Sequence, residues 1–252
     1  MAFAEHFRQK WLPKLKIHSE RSVQPAEAFE DDVDSYATIL IASKLSLGET
    51  KTPEVITRRK GKTLCELGCT VRVGPALGHT PAYVLDAKEN DVERKLLRPW
   101  IDGSEIENGV ITWNGRRVIV MYGSNGKLID FERFPRLRER MERFRARLEQ
   151  RSIVANGALW YRPIDRVCAA DWSRPKLLVP EIAKIPRVAI DRSGAIPSHG
   201  VYAIFAPDDD VDAIYARLGN GKLAAGLDGI APRVKGGFVR CYKRFLLMAR
   251  FS

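Results

Sequence analysis

Hydrophobic positions along this chain predict two kinds of segment. At the start, Phe3, Phe7 and Trp11 recur every fourth residue, the stripe of an amphipathic helix that Pro13 ends. Tyr36 to Ala42 is a short apolar run with β-branched residues and reads as a buried strand. Residues 48 to 62 are polar and basic with one proline, the pattern of a linker. From Thr63 onward short strands with glycine and proline punctuation take over. Val71 and Val73 alternate with Thr70, Arg72 and Gly74, and Asn114-Gly115 predicts a hairpin turn pairing Val110–Trp113 with Val118–Tyr122.

The longest predicted helix begins near Pro135. Leu137, Met141, Phe144 and Leu148 form a core-facing stripe at helical spacing. Arg136, Arg140, Arg143 and Arg147 repeat one residue earlier, about 100° around the axis. Such a stripe can lie along a phosphate backbone, or be a solvated face of arginine–glutamate pairs. Beyond it, LWYRPI, KLLVPEI, RVAID, HGVYAIFA and GFVRCYKRFLLMARF are the expected ordered pieces. A helix with an acidic first turn is expected from near Asp210 until Gly219 or Gly221. The pattern as a whole is α+β: mixed short-strand sheets with a long arginine-rich helix, preceded by a small helix–strand segment.

Composition narrows the classes of function. Hydrophobic residues make up 45% of 252, a globular value that leaves room for a large core. The net charge of +11 suits an acidic partner, and arginine in particular suits phosphate and guanine edges. Cys65, Cys69, Cys168 and Cys241, with four scattered histidines, lack zinc-ligand spacing, so no metal is expected. No apolar run is long enough to span a membrane and the N-terminus has no signal-peptide pattern, so a cytoplasmic protein is expected.

Several motifs in order resemble the TaqI-like C-terminal specificity domain, which reads the target sequence in adenine-specific DNA methyltransferases and fused restriction-modification enzymes. The resemblance starts at about Leu64 with a glycine-rich turn before an aromatic-ended strand, at Gly74, Gly78, Thr80, Ala82 and Tyr83. It continues through Leu97, Arg98, Pro99, Gly103, Ser104, Glu105 and Ile106, then Leu148 and Arg151, Trp160 and Tyr161, and Lys176. Asp191 with Gly194, and Gly236-Gly237 with Arg240, complete it. Residues 1–47 resemble the last helix and strands of the methyltransferase catalytic domain, 48–62 join the two parts, and 63–252 form the target recognition domain.

The resemblance implies binding of double-stranded DNA. Candidate contacts are Gly78, His79, Thr80, Arg140, Arg143, Lys176, Arg192, Ser198, Lys235, Arg240 and Lys243. No catalytic residue is expected, because the 252 residues contain neither the Phe-x-Gly-x-Gly loop for the methyl donor nor an Asn-Pro-Pro-Tyr or Asp-Pro-Pro-Tyr motif. S-adenosylmethionine is therefore expected on a partner catalytic chain docked on residues 1–47, in a split methyltransferase or restriction-modification system. Two alternatives stand beside this. One is a metal-dependent restriction nuclease using Asp171, Glu181 and Lys184, with the last pair spaced one residue too far. The other is a remnant that binds nucleic acid without specificity.

Overall fold

The computed structural model describes residues 15–23, 37–44, 61–107 and 109–252, the strands Leu15–Val23 and Ala37–Lys44 by their backbone pairing. The helix expected through Phe3, Phe7 and Trp11 and the body of the expected linker lie outside the described residues. Leu15–Val23 and Ala37–Lys44 pair antiparallel, from Leu15 opposite Lys44 to Val23 opposite Ala37, with an irregularity between Ile17 and Ser19. The second strand covers the apolar run expected from Tyr36 to Ala42, one residue late at its start.

A four-stranded antiparallel sheet organises the rest, in the order Ala189–Asp191, Lys176–Pro180, Val201–Phe205, Thr70–Val73. The two central strands are buried along their whole length, because both faces of the sheet are covered. Leu178, Ala189, Val201, Ala203 and Phe205 enter one core. Leu177, Val179, Tyr202, Ile204 and Val71 enter the other. A strand buried on both faces reads as a continuous apolar run, as these do. Alternation in Thr70–Val73 follows the predicted faces, with Val71 buried and Thr70 and Arg72 exposed.

The first core is closed by a second sheet, Ile196–Pro197, Leu97–Ile101, Arg117–Ile119, Val84–Leu85, and by the helix Pro135–Glu149. Leu137, Met141 and Leu148 are fully buried and Phe144 packs partly buried beside them. The second core is closed by the helices Val211–Leu218, Lys222–Leu227 and Lys243–Met248. Asp210 caps the first of these, its side chain accepting from the Ala213 amide at 3.1 Å, and Gly219 ends it, as its acidic start and glycine stop predict.

Two local expectations are corrected. Val110–Ile111 pairs with Ile106–Glu107, across Gly109 rather than Asn114-Gly115. Arg117–Ile119 pairs instead with Leu97–Ile101 and Val84–Leu85. Val118 and Ile119 are fully buried, and a buried strand needs neighbours on both edges, which a two-residue hairpin cannot supply. The LWYRPI segment forms turns, and Trp160 and Tyr161 pack against Phe131 with ring centroids 5.6 and 4.3 Å away.

Gly74 joins the two sheets. Its amide donates to the Val201 carbonyl at 2.9 Å, and a Cβ there would overlap the carbonyl oxygens of Pro197 and Ser198.

Candidate nucleic-acid interface

Within the arginine stripe of the long helix, Arg140 and Arg143 turn to their own chain, while Arg136 and Arg147 are exposed. Arg140 is 2% exposed. Its guanidinium donates to the carbonyls of Pro81, Ala82 and Val84 at 2.7, 3.1 and 3.1 Å. Nη1 adds Glu89 at 3.0 Å and Asp91 at 2.8 Å. Arg143 pairs with the same Asp91, and Glu93 accepts from the amides of Arg136 and Leu137 at 3.0 and 3.1 Å. An acidic segment, 89 to 93, thus lies along the stripe. Burial alone would push Asp91 and Glu89 upward. The guanidiniums of Arg143 and Arg140 overcome this for Asp91; the Asp86 amide, and then Arg140, do so for Glu89. Both end below the usual carboxylate range. Arg140 is a structural anchor and offers no cation to a ligand.

Lys176 and Ser198 are also withdrawn from the surface. Lys176 is fully buried, its ammonium 2.5 Å from Asp191 and 2.7 Å from the Trp172 carbonyl. Burial lowers its pKa against the pull of Asp191. Asp191 accepts further from the Ser193 hydroxyl and amide and from the Ala195 amide, at 2.6, 3.0 and 3.1 Å. Both belong to one internal network that shapes the loop after the edge strand. Ser198 is buried in the turn whose amide meets the Ile101 carbonyl at 2.8 Å. Lys176 is thus a motif position that holds the fold together, and Ser198, a candidate contact outside the motifs, is likewise buried and shapes its turn.

The remaining candidates lie at the surface in separate places. Gly78, His79 and Thr80 form the turn into the short helix Thr80–Tyr83. His79 packs edge-on against Phe144 at 5.6 Å, and burial, then Arg147 and Arg151, lowers its pKa. Arg151 ties this turn down, donating to the carbonyls of Leu77, Leu148, Trp160 and Arg162. Arg192 is half exposed and bonded to Asp212 at 2.6 Å. Lys235 and Lys243 are exposed on either side of the strand Phe238–Arg240, the middle of a three-stranded sheet with Ile182–Ala183 and Arg233–Val234, and Arg240 donates to the Tyr242 hydroxyl at 2.6 Å.

A feature outside the candidate contacts, though it includes the motif residues Leu97, Arg98 and Pro99, lies between Leu97–Ile101 and the loop before Arg117–Ile119. There Arg94, Arg98, Arg117 and Trp113 line an open groove of about 390 Å³. Glu105, only 5% exposed, builds the loop. Its carboxylate accepts from the amides of Asp102 and Asn114 at 2.7 and 2.8 Å and pairs with Arg116. Arg116 is also paired with Asp102. Gly115, with φ +90°, lets the loop approach Ala87 more closely than a Cβ would allow. Trp113 donates its indole N–H to the Arg116 carbonyl at 2.8 Å and stays 45% exposed.

Among the described residues no cluster of three or more His, Cys, Asp or Glu is placed to hold a metal ion. Asp171 is bonded to Arg166 at 2.8 Å. No helix among them is long and apolar enough to cross a membrane.

No protein-family profile matches the sequence. The type II methyltransferase M.PaeR7I of Pseudomonas aeruginosa is 32% identical over 186 residues, 73% of this chain and 32% of that protein. M.BstVI of Geobacillus stearothermophilus is 28% identical over 183 residues, 72% of this chain and 33% of that one. M.XhoI of Xanthomonas vasicola is 29% identical over 189 residues, 75% and 35% respectively. The chain therefore spans about a third of the length of the curated relatives it matches. The type IIL restriction-modification enzyme MmeI, solved in complex with DNA, matches 94% of this chain and 35% of its own at a TM-score of 0.50 and 12% identity, a likeness of fold. By sequence and by fold, the chain is similar to a part of DNA-modifying enzymes.

Proposed function

We propose that this chain is the DNA-recognition part of a restriction-modification methyltransferase, non-catalytic by itself. One observation carries the reading: the similarity covers nearly three quarters of this chain but only a third of each type II methyltransferase. Methyl transfer to a base in a duplex needs a bound methyl donor and a pocket for the extruded base. Neither of the corresponding motifs occurs in these 252 residues. A catalytic polypeptide, docked on residues 1–47, would hold S-adenosylmethionine and the extruded adenine.

Of the candidate contacts, Gly78, His79, Thr80, Lys235, Arg240 and Lys243 remain as proposed. Arg143 and Arg192 would exchange a carboxylate for a phosphate. Such exposed pairs are worth at most about 1 kcal/mol, so the exchange costs little. Arg140, Lys176 and Ser198 would act only by shaping the loops around them.

A chimera tests the reading. This chain replaces the matching third of M.PaeR7I, and methylated sites are mapped on genomic DNA. The expected result is adenine methylation at a sequence different from the parent's, with none by this chain alone. A folded chimera that methylates the parental sequence, or methyl transfer by the isolated chain, would contradict it.

A further inference from the structure

Among the described residues, many arginines at the surface are paired with carboxylates. Arg138 meets Glu132, Arg145 meets Glu142 and Glu149, Arg174 meets Asp209, and Arg250 meets Glu66. The groove beside Trp113 differs: its lining contains three arginines and no carboxylate. Arg94 is exposed and its side chain makes no ion pair or hydrogen bond among the described residues. Arg98 uses Nη1 on the carbonyls of Lys95 and Leu97, at 3.3 and 2.8 Å, leaving its other N–H groups. Arg117 is held by the carbonyls of Asp86, Ala87 and Glu89 through Nη2 alone.

We propose that this groove holds one phosphodiester strand of duplex DNA, with Arg94 on a phosphate and the Trp113 ring against the adjoining deoxyribose. The proposal rests on the DNA-recognition reading above and names a contact surface that reading did not include. Three guanidiniums with no internal anion make a site complementary to phosphate. The carbonyls that grip Arg98 and Arg117 fix their direction in advance, so little side-chain freedom is lost on binding. Trp113 has its only donor already used inside the loop, so it offers a ring face and no hydrogen bond. An apolar ring beside a basic groove packs on the sugar while the guanidiniums hold the phosphates, contacts that position a strand without reading its bases. The groove therefore contributes affinity and register, and base discrimination falls to other loops.

The full chain is titrated with a labelled duplex over a range of salt concentrations, with folding checked by thermal unfolding. Arg94→Ala should lower the slope of log affinity against log salt by about 1, and Arg94→Lys should restore it. Trp113→Ala should weaken binding by roughly threefold with the slope unchanged, since the ring removes only a small apolar area of one sugar from water. Arg145→Ala, which removes the same charge from a paired position, should leave both unchanged. If the wild-type chain binds duplex and Arg94→Ala binds with the same affinity and slope, the groove proposal is overturned while DNA recognition stands. If the wild-type chain binds no duplex at any salt concentration, DNA recognition itself fails and the groove with it.

Discussion

Arg140 Nη1 donates to Asp91 Oδ1 at 2.8 Å across 49 residues of sequence, and the contact ties the long helix to the acidic segment that precedes Leu97–Ile101. The same guanidinium satisfies three carbonyls around Tyr83. A cation this buried is tolerated only because its donors are paired.

Arg140→Met should therefore unfold at markedly lower denaturant. It strands three carbonyls and takes a cationic partner from Asp91 and Glu89, which keep Arg143 and the Asp86 amide respectively, and the cost should be roughly 3 kcal/mol. Chemical denaturation with an unchanged m-value measures it. A loss under about 1 kcal/mol would show the anchor to be incidental.

Acid should act through the same cluster. Asp91 and Glu89 sit below their ordinary carboxylate range in the folded chain. Groups shifted that way contribute stability fully present above their unfolded values, about 4, and lost as pH falls through the lower folded values. Unfolding free energy should decline from about pH 4 downward, and Arg140→Met should show a shallower decline. Identical acid profiles for the two proteins would contradict the assignment.

Gly74→Ala probes the junction of the two sheets. The added methyl would meet the backbone oxygens of Pro197 and Ser198, which cannot turn aside as a side chain could. A cost of about 3 kcal/mol or more is expected, seen as a fall in the midpoint of thermal unfolding. A midpoint within a degree or two of the wild type would mean that the strands separate freely here.

Glu105→Gln separates loop geometry from groove charge. The amide keeps the outline but loses the charge that pairs with Arg116, and its NH2 must face one of the backbone amides, Asp102 or Asn114, that the carboxylate accepts from. The loop bearing Trp113 should loosen, so that Trp113 fluorescence becomes more accessible to a neutral quencher. The cost in stability should be about 1–3 kcal/mol. Unaltered quenching would show that Glu105 does not hold the loop.

Much of this was legible in the sequence where one periodicity had one interpretation. The stripe of Leu137, Met141 and Leu148 could belong only to a helix face. The runs at Lys176–Pro180 and Val201–Phe205 had the length and composition of doubly covered strands. Arg140 was misplaced because spacing gives an angle and not a depth. It lies beside the apolar stripe, and whether such a position meets water or the 89–93 segment depends on chain far away in sequence. The hairpin failed for a related reason. Asn-Gly occurs at 108–109 and again at 114–115, and local turn chemistry cannot choose between them. Non-local pairing of Arg117–Ile119 decides the matter. Trp113 was hidden by the same error, since a residue in a paired strand would not be expected to line a groove.

The central claim is that this protein distinguishes one DNA sequence from another. Selection of bound duplexes from a pool with a randomised core, carried through several rounds at increasing salt, tests it most directly. The account predicts enrichment of one short common sequence, with each base change in it costing about 1–3 kcal/mol. A pool that stays random while the protein still binds would contradict it, and would leave only attraction between a cationic surface and phosphate.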